Sequence, residues 1–206
     1  MARRTKEDAE QTKTEILNSA MELFYEKGFA RTTFDEIAKR INLTKGAVYW
    51  HFRNKADLLA ELMRRTFTEK EQRTWPQKPQ INTLDDLRQY YAYAAEAIET
   101  DPEFCKFLFF IIFQMEWSEI ITAQIRQRVH EITDYPQKEL KERLTFIQKS
   151  GEISADINID DLAILMSCTW RGLTDAFVSK QYPMNLRHAV LQAFDLIMDG
   201  LKVEKK

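Results

Sequence analysis

Glycine and proline are scarce, with five of each in 206 residues. So few breakers argue against a loop-rich or disordered chain and favour long helices. Cysteine is scarcer still. Cys105 and Cys168 each sit in an apolar run, without the spacing of a disulfide framework or a zinc site. No secretory signal pattern is visible, so both read as reduced thiols, and a cytoplasmic location is expected. The three histidines, His51, His130 and His188, are scattered, and no HExxH, GxSxG, Walker or zinc pattern occurs. No catalysis, metal or cofactor is therefore expected. The apolar run Phe107 to Phe113 is too short to cross a membrane. Strong net charge is missing too: the total is −2, with +2 over residues 1–60 and −4 over the rest. That asymmetry agrees with a nucleic-acid-facing end on an acidic body, but is too mild to establish one.

What the chain does have is a dense set of helix signals between Thr33 and Lys55, TTFDEIAKRINLTKGAVYWHFRNK. Thr33 with Glu36 has the form of a capping box. Ile37, Ala38 and Ile41 follow at helical spacing, and Asn42 is a residue that tolerates a left-handed turn. Thr44 caps a second short helix, Lys45 to His51, with Val48 and Phe52 facing inward. Lys45, Gly46, Tyr49 and Trp50 then face outward. A short helix that only filled a gap would show Lys, Glu or Gln to water. Two exposed aromatics, a cation and a glycine suit a surface meant to be covered, and helix–turn–helix is the arrangement whose second helix enters the DNA major groove. Buried Tyr49 and Trp50 in a small bundle are the alternative.

The stretch FYEKGFARTTFDEIAKRINLTKGAVYWHFRNKADLLAEL resembles the DNA-binding segment of the TetR family of bacterial transcriptional regulators. The matching positions include Phe24, Gly28-Phe29, Thr32-Thr33, Ile37-Ala38, Thr44-Lys45-Gly46, Tyr49, His51-Phe52, Lys55 and Leu58-Leu59. The opening residues and Tyr49-Trp50 look most like the branch that represses multidrug efflux pumps. The resemblance covers about the first third of the chain, and Asn42 departs from the glycine common there. It implies an all-α fold: a three-helix N-terminal helix-turn-helix domain, residues 1–54, and a six-helix C-terminal ligand-binding and dimerisation domain, residues 55–206. Residues 55–75 would be the connecting helix. Candidate DNA contacts are Arg3 and Arg4 in a basic arm, then Thr33, Thr44, Lys45, Gly46, Tyr49, Trp50, His51 and Lys55. Thr33 and Lys55, each at a helix start, are the phosphate candidates.

Taken in order, a first helix is expected from about Glu7 to Lys27, ended by Gly28, and a fourth from Lys55 to about Arg73, capped by Asn54. Thr83 with Asp86 opens a fifth, to about Thr100, and Asp101-Pro102 a sixth. The run FCKFLFFIIFQMEW is apolar on every side, so that helix should be buried or line a cavity. A seventh spans Ser118 to Lys149, with a kink expected at Pro136. An eighth runs from Asp160 to about Lys180, and a ninth starts at Asn185.

Thirteen Phe, seven Tyr, four Trp and seven Met are many for this length. Aromatic and methionine walls suit hydrophobic or aromatic small molecules. Candidate ligand contacts are Thr66, Tyr91, Phe109, Phe110, Phe113, Glu116, Trp170, Arg171 and Asp175. An ordinary core carries the same stripes. The last two helices suit a four-helix bundle made by two subunits, with Leu162, Leu165, Thr169, Gly172, Leu173, Val190, Phe194 and Ile197 as candidate interface residues. The family resemblance implies a homodimeric repressor of an efflux operon, bound to double-stranded operator DNA and released by an effector. A regulator of lipid or aromatic metabolism and a non-catalytic protein-interaction module are the alternatives.

Overall fold

The computed structural model describes residues 6–75, 79–119, 123, 125 and 135–200. Among the described residues every regular element is helical. Two compact units are present: Met1–Phe67 with Phe110–His130, and Thr68–Phe109 with Glu131–Lys206.

The first unit holds α1 (Lys6–Lys27), α2 (Phe34–Arg40), α3 (Lys45–His51) and most of α4 (Lys55–Thr74). Apolar residues at helical spacing on α1, namely Ile16, Leu17, Ala20 and Phe24, are almost fully buried. They meet Ile37 of α2, Val48 of α3 and Leu58, Leu59 and Leu62 of α4, all at 0% exposure. Each such side chain contributes about 1.5–3 kcal/mol on burial, which outweighs the weak propensity of seven-residue helices. A single π-helical turn, Phe110–Gln114, joins this core from far along the chain. Phe110 stacks on Phe24 at 5.6 Å and meets Tyr25 edge-on at 5.9 Å. The compact unit thus runs past residue 54 into α4 and takes in residues beyond 109.

The second unit contains α5 (Leu84–Glu99), α6 (Pro102–Phe109), α7 (Tyr135–Lys149), α8 (Ile159–Val178) and α9 (Leu186–Asp199). Caps set their starts. Thr83 and Asp86 form the expected capping box on α5, Asn185 caps α9, and Asn158 caps α8, which starts at Ile159, one residue before the expected Asp160. Leu87, Leu144, Ile147, Ile153, Leu162, Met166 and Phe194 form the core. Arg88 of α5 grips Asp195 of α9 in a bidentate pair at 2.6 and 2.8 Å. Helix six departs from expectation. Its α-helical part ends at Phe109, and Phe113 and Trp117 are 48% and 41% exposed instead of buried. Pro136 is the second residue of described α7, and most of the helix expected before it lies outside the described residues.

Candidate nucleic-acid interface

α2 and α3 are built as a helix, a tight turn and a second helix. Thr33 caps α2, and Glu36 completes the capping box. Asn42 takes a left-handed conformation, φ 56°. There its N–H donates to Lys39 O at 3.2 Å and the Leu43 N–H to Ala38 O at 2.8 Å, closing the end of α2. Thr44 then starts α3, its hydroxyl accepting from the Ala47 N–H at 3.2 Å. Val48, at 0% exposure, turns the inner face of α3 into the core.

The outer face is open. Tyr49 is 52% exposed and Trp50 74%. Tyr49 rests edge-on against Phe34 at 5.0 Å, and the Lys45 ammonium lies 5.7 Å from its ring. Trp50 meets His51 edge-on at 4.5 Å. Gly46 is exposed, and a Cβ built on it would find only the Thr44 hydroxyl, at 3.8 Å. The fold itself therefore does not require glycine there. No acidic residue stands in the first turn of α3, whereas α2 and α5 each carry two. A phosphate at α3 meets Lys45 and no carboxylate of that turn.

Two residues expected on phosphates are otherwise engaged. The Glu36 carboxylate accepts from the Thr33 N–H at 2.9 Å and from its hydroxyl at 2.7 Å, and also pairs with Lys27. Those contacts, Lys27 foremost, hold the Glu36 carboxyl down at about 2. The Lys55 ammonium donates to the carbonyls of Phe29 and Ala30 at 2.7 and 2.9 Å and lies over the Phe29 ring. Burial lowers its pKa. Both residues thus tie the motif together in the unbound protein. Arg3 and Arg4 lie outside the described residues.

The family model described as bacterial regulatory proteins, tetR family, matches residues 16–62, which contain this whole motif. The probable HTH-type transcriptional regulator ArpR of Pseudomonas putida is 25% identical over 205 residues, 98% of this chain and 97% of that protein. The HTH-type transcriptional regulator AcrR of Shigella flexneri is 29% identical over 194 residues, 91% of this chain and 87% of its own. Among solved structures, NalD, the secondary repressor of the MexAB-OprM multidrug efflux pump in Pseudomonas aeruginosa, has a TM-score of 0.80 at 23% identity, over 97% of this chain and 100% of that one. Residues 16–62 thus form a tetR-type regulatory segment, in a chain that is similar along nearly its whole length to regulators of that kind.

The second unit brings some candidate ligand residues together, and others lie apart. Tyr91 and Trp170 meet at 5.4 Å and line a crevice with Phe194. Thr169, Leu173, Val190 and Ile197, expected at a subunit interface, line the same crevice. It is narrow, with a volume of about 20 Å³, space for roughly one water. Thr66 and Phe109 are half-buried and Phe113 is exposed, while Phe110 belongs to the core of the first unit. Glu116 is exposed. Arg171 reaches Asp175 at 3.8 Å on the outside of α8. Of the candidate interface residues, Leu162, Val190 and Phe194 are buried within the unit itself. Leu165 is 50% exposed, as are two neighbours the sequence did not single out, Ile164 at 51% and Leu196 at 76%. Leu196 lies off the i, i+4, i+7 series Val190, Phe194 and Ile197, so periodicity alone passes over it. Among the described residues no helix is long and apolar enough to cross a membrane.

Proposed function

We propose that this chain is a ligand-responsive transcriptional repressor that works as a homodimer on operator DNA, controls a multidrug efflux operon and is released by hydrophobic or aromatic molecules. The observation that carries the DNA-binding part is the uncovered pair Tyr49 and Trp50 on a helix whose inner face is fixed by Val48. Ring edges of this kind reach sugars and thymine methyls, and the phenol and indole N–H reach phosphates. Lys45 supplies charge, and Gly46 lets the backbone approach closely.

The exposed Ile164, Leu165 and Leu196 on α8 and α9 support pairing with a second copy. A Cβ added at Gly172 would touch nothing within 4 Å of this chain, so its glycine suits an approach by another molecule. Two-fold pairing would set two copies of α3 about 34–36 Å apart, or a multiple of that, along one face of the duplex. The narrow crevice at Tyr91 and Trp170 is too small for an effector as it stands, which supports one that acts by widening it. Such a molecule works only through its differential affinity for two conformations, and about 1.4 kcal/mol is enough for a tenfold loss of DNA affinity. α4 has residues in both compact units, which makes it the natural carrier of that change.

The test is binding to the DNA upstream of the protein's own operon, with Lys45→Ala and Tyr49→Ala alongside. Each is expected to weaken binding. If both variants bind like the parent protein, the recognition helix has been misassigned.

A further inference from the structure

The first unit contains a cavity of about 550 Å³, lined by none of the residues of the narrow crevice in the second unit. Its walls are the end of α1, the turn from Gly28 to Arg31, and Gln114 with Glu116 just beyond the π-helical turn. The size falls in the range of sites for drug-sized molecules. One wall is aromatic: Tyr25 is half-buried there, with Phe24 and Phe29 buried behind it and Phe110 stacked on Phe24.

The π turn is an independent sign. It is closed by the Met115 N–H donating to Phe110 O at 3.0 Å. Such turns cost stability and recur at functional sites. Phe110, at the start of the turn, is buried against Phe24, while Gln114 and Glu116 are exposed on the cavity wall.

Four charged side chains line the cavity, and two are already answered. Glu26 is held by Arg40 through two hydrogen bonds, at 2.8 and 2.6 Å, and Lys27 pairs with Glu36. The other two are Arg31 and Glu116. Among the described residues neither forms an ion pair, and Arg31 donates only its Nε–H, to Lys27 O at 2.7 Å. A half-exposed tyrosine ring with one cation and one anion on the same cavity wall fits one class of occupant. We propose that this cavity is a second small-molecule site, selective for aromatic zwitterions that carry an amine and a carboxylate. Arg31 takes the carboxylate, Glu116 takes the ammonium, and the ring system lies against Tyr25. The occupant would touch the turn whose carbonyls hold Lys55, so it acts directly on the helix-turn-helix. That last effect rests on the DNA-binding function proposed above; occupancy itself does not.

Three fluorescent probes that share one ring system separate the charges: dansyl-lysine is zwitterionic, dansyl-cadaverine cationic and dansyl-glycine anionic. Binding is followed by dansyl emission on the full chain without DNA. Dansyl-lysine should bind several-fold more tightly than either single-charge probe. Glu116→Gln should weaken dansyl-lysine and dansyl-cadaverine but not dansyl-glycine. Arg31→Gln should weaken dansyl-lysine and dansyl-glycine but not dansyl-cadaverine. Gln114→Trp, at an exposed rim position, should fill the mouth and abolish dansyl-lysine binding. Equal binding of all three probes, or dansyl-lysine binding that survives Gln114→Trp, overturns the proposal. A subsequent DNA titration with dansyl-lysine bound tests the effect on the motif separately.

Discussion

Gly46→Ala separates the demands of the fold from those of DNA, because they point in opposite directions. Gly46 is the second residue of α3, and its φ lies outside the left-handed range. An added methyl would make one ordinary contact, with the Thr44 hydroxyl at 3.8 Å. Alanine is up to about 1 kcal/mol better than glycine in a helix, so the variant should be the more stable protein. For a chain of this size, about 1 kcal/mol raises Tm by roughly 2–4 °C. On DNA the sign reverses. If the α3 backbone lies against the duplex at Gly46, a methyl must be fitted between two stiff surfaces, and overpacking of that kind costs about 1–3 kcal/mol. That is a loss of roughly tenfold or more in affinity. A thermal melt and an anisotropy titration with operator DNA, on the same preparation, read both. A higher Tm with weaker binding is the expected result, and the melt excludes misfolding as the cause. A higher Tm with unchanged affinity would refute close approach at Gly46.

Other outcomes follow from the same structure. Lys55→Met removes two carbonyl contacts and should destabilise the protein by about 1–2 kcal/mol while leaving the salt dependence of DNA binding unchanged; Lys45→Ala should reduce the slope of log K against log salt by about 1. Asn42 and Lys180 both hold positive φ, 56° and 55°, so Asn42→Ala should cost about 1 kcal/mol and Lys180→Gly should gain up to about that, read as shifts in chemical denaturation midpoint. Glu36 and Glu61 have folded-state pKa values held down to about 2 by Lys27 and Thr33, and by Arg64 and Lys13. Their contribution to stability is complete above the ordinary carboxylate range and is lost as pH falls from about 4.5 towards 2; a Glu36→Gln, Glu61→Gln double variant should flatten that limb of the pH–stability curve. Leu196→Glu with Leu165→Glu should shift sedimentation from dimer to monomer without lowering helix content.

Where a helix begins was legible in this sequence because capping is a local matter. Thr33, Asn54, Thr83 and Asn185 are read from residues three or four positions away, and the structure puts helix starts after each. The course of the chain after Pro102 was less legible. FCKFLFFIIFQMEW has no polar face, so periodicity cannot say which residues turn inward or where an α-helix gives way to a π turn. The turn is set by Phe110 finding Phe24 and Tyr25, residues some eighty-five positions earlier. The outer face of α3 was readable for the opposite reason: Val48 and Phe52 fix its inner side, so Tyr49 and Trp50 have nowhere else to go. Burial within a subunit and burial between subunits cannot be told apart from pattern. Leu162 and Leu165 are alike in the sequence, and one is 4% exposed, the other 50%.

The same limit explains why Thr33 and Lys55 looked like phosphate ligands. A hydroxyl beside a backbone N–H, or an ammonium at a helix start, suits any oxygen that carries negative charge. Glu36 supplies such oxygens three residues along, and the Phe29 and Ala30 carbonyls supply them across the fold. Chemistry alone ranks these partners equally with a phosphate; proximity decides. Glu36 is held in place by Lys27, and the two carbonyls by the turn at Gly28, so in the unbound protein they are always within reach, whereas DNA is not. Lys45, Gly46 and Trp50 differ in kind. The fold has no use for an exposed cation, glycine and indole side by side, and it supplies none of them with a buried partner. It is this lack of an internal reason, more than their chemistry, that carries the proposal that they contact the duplex.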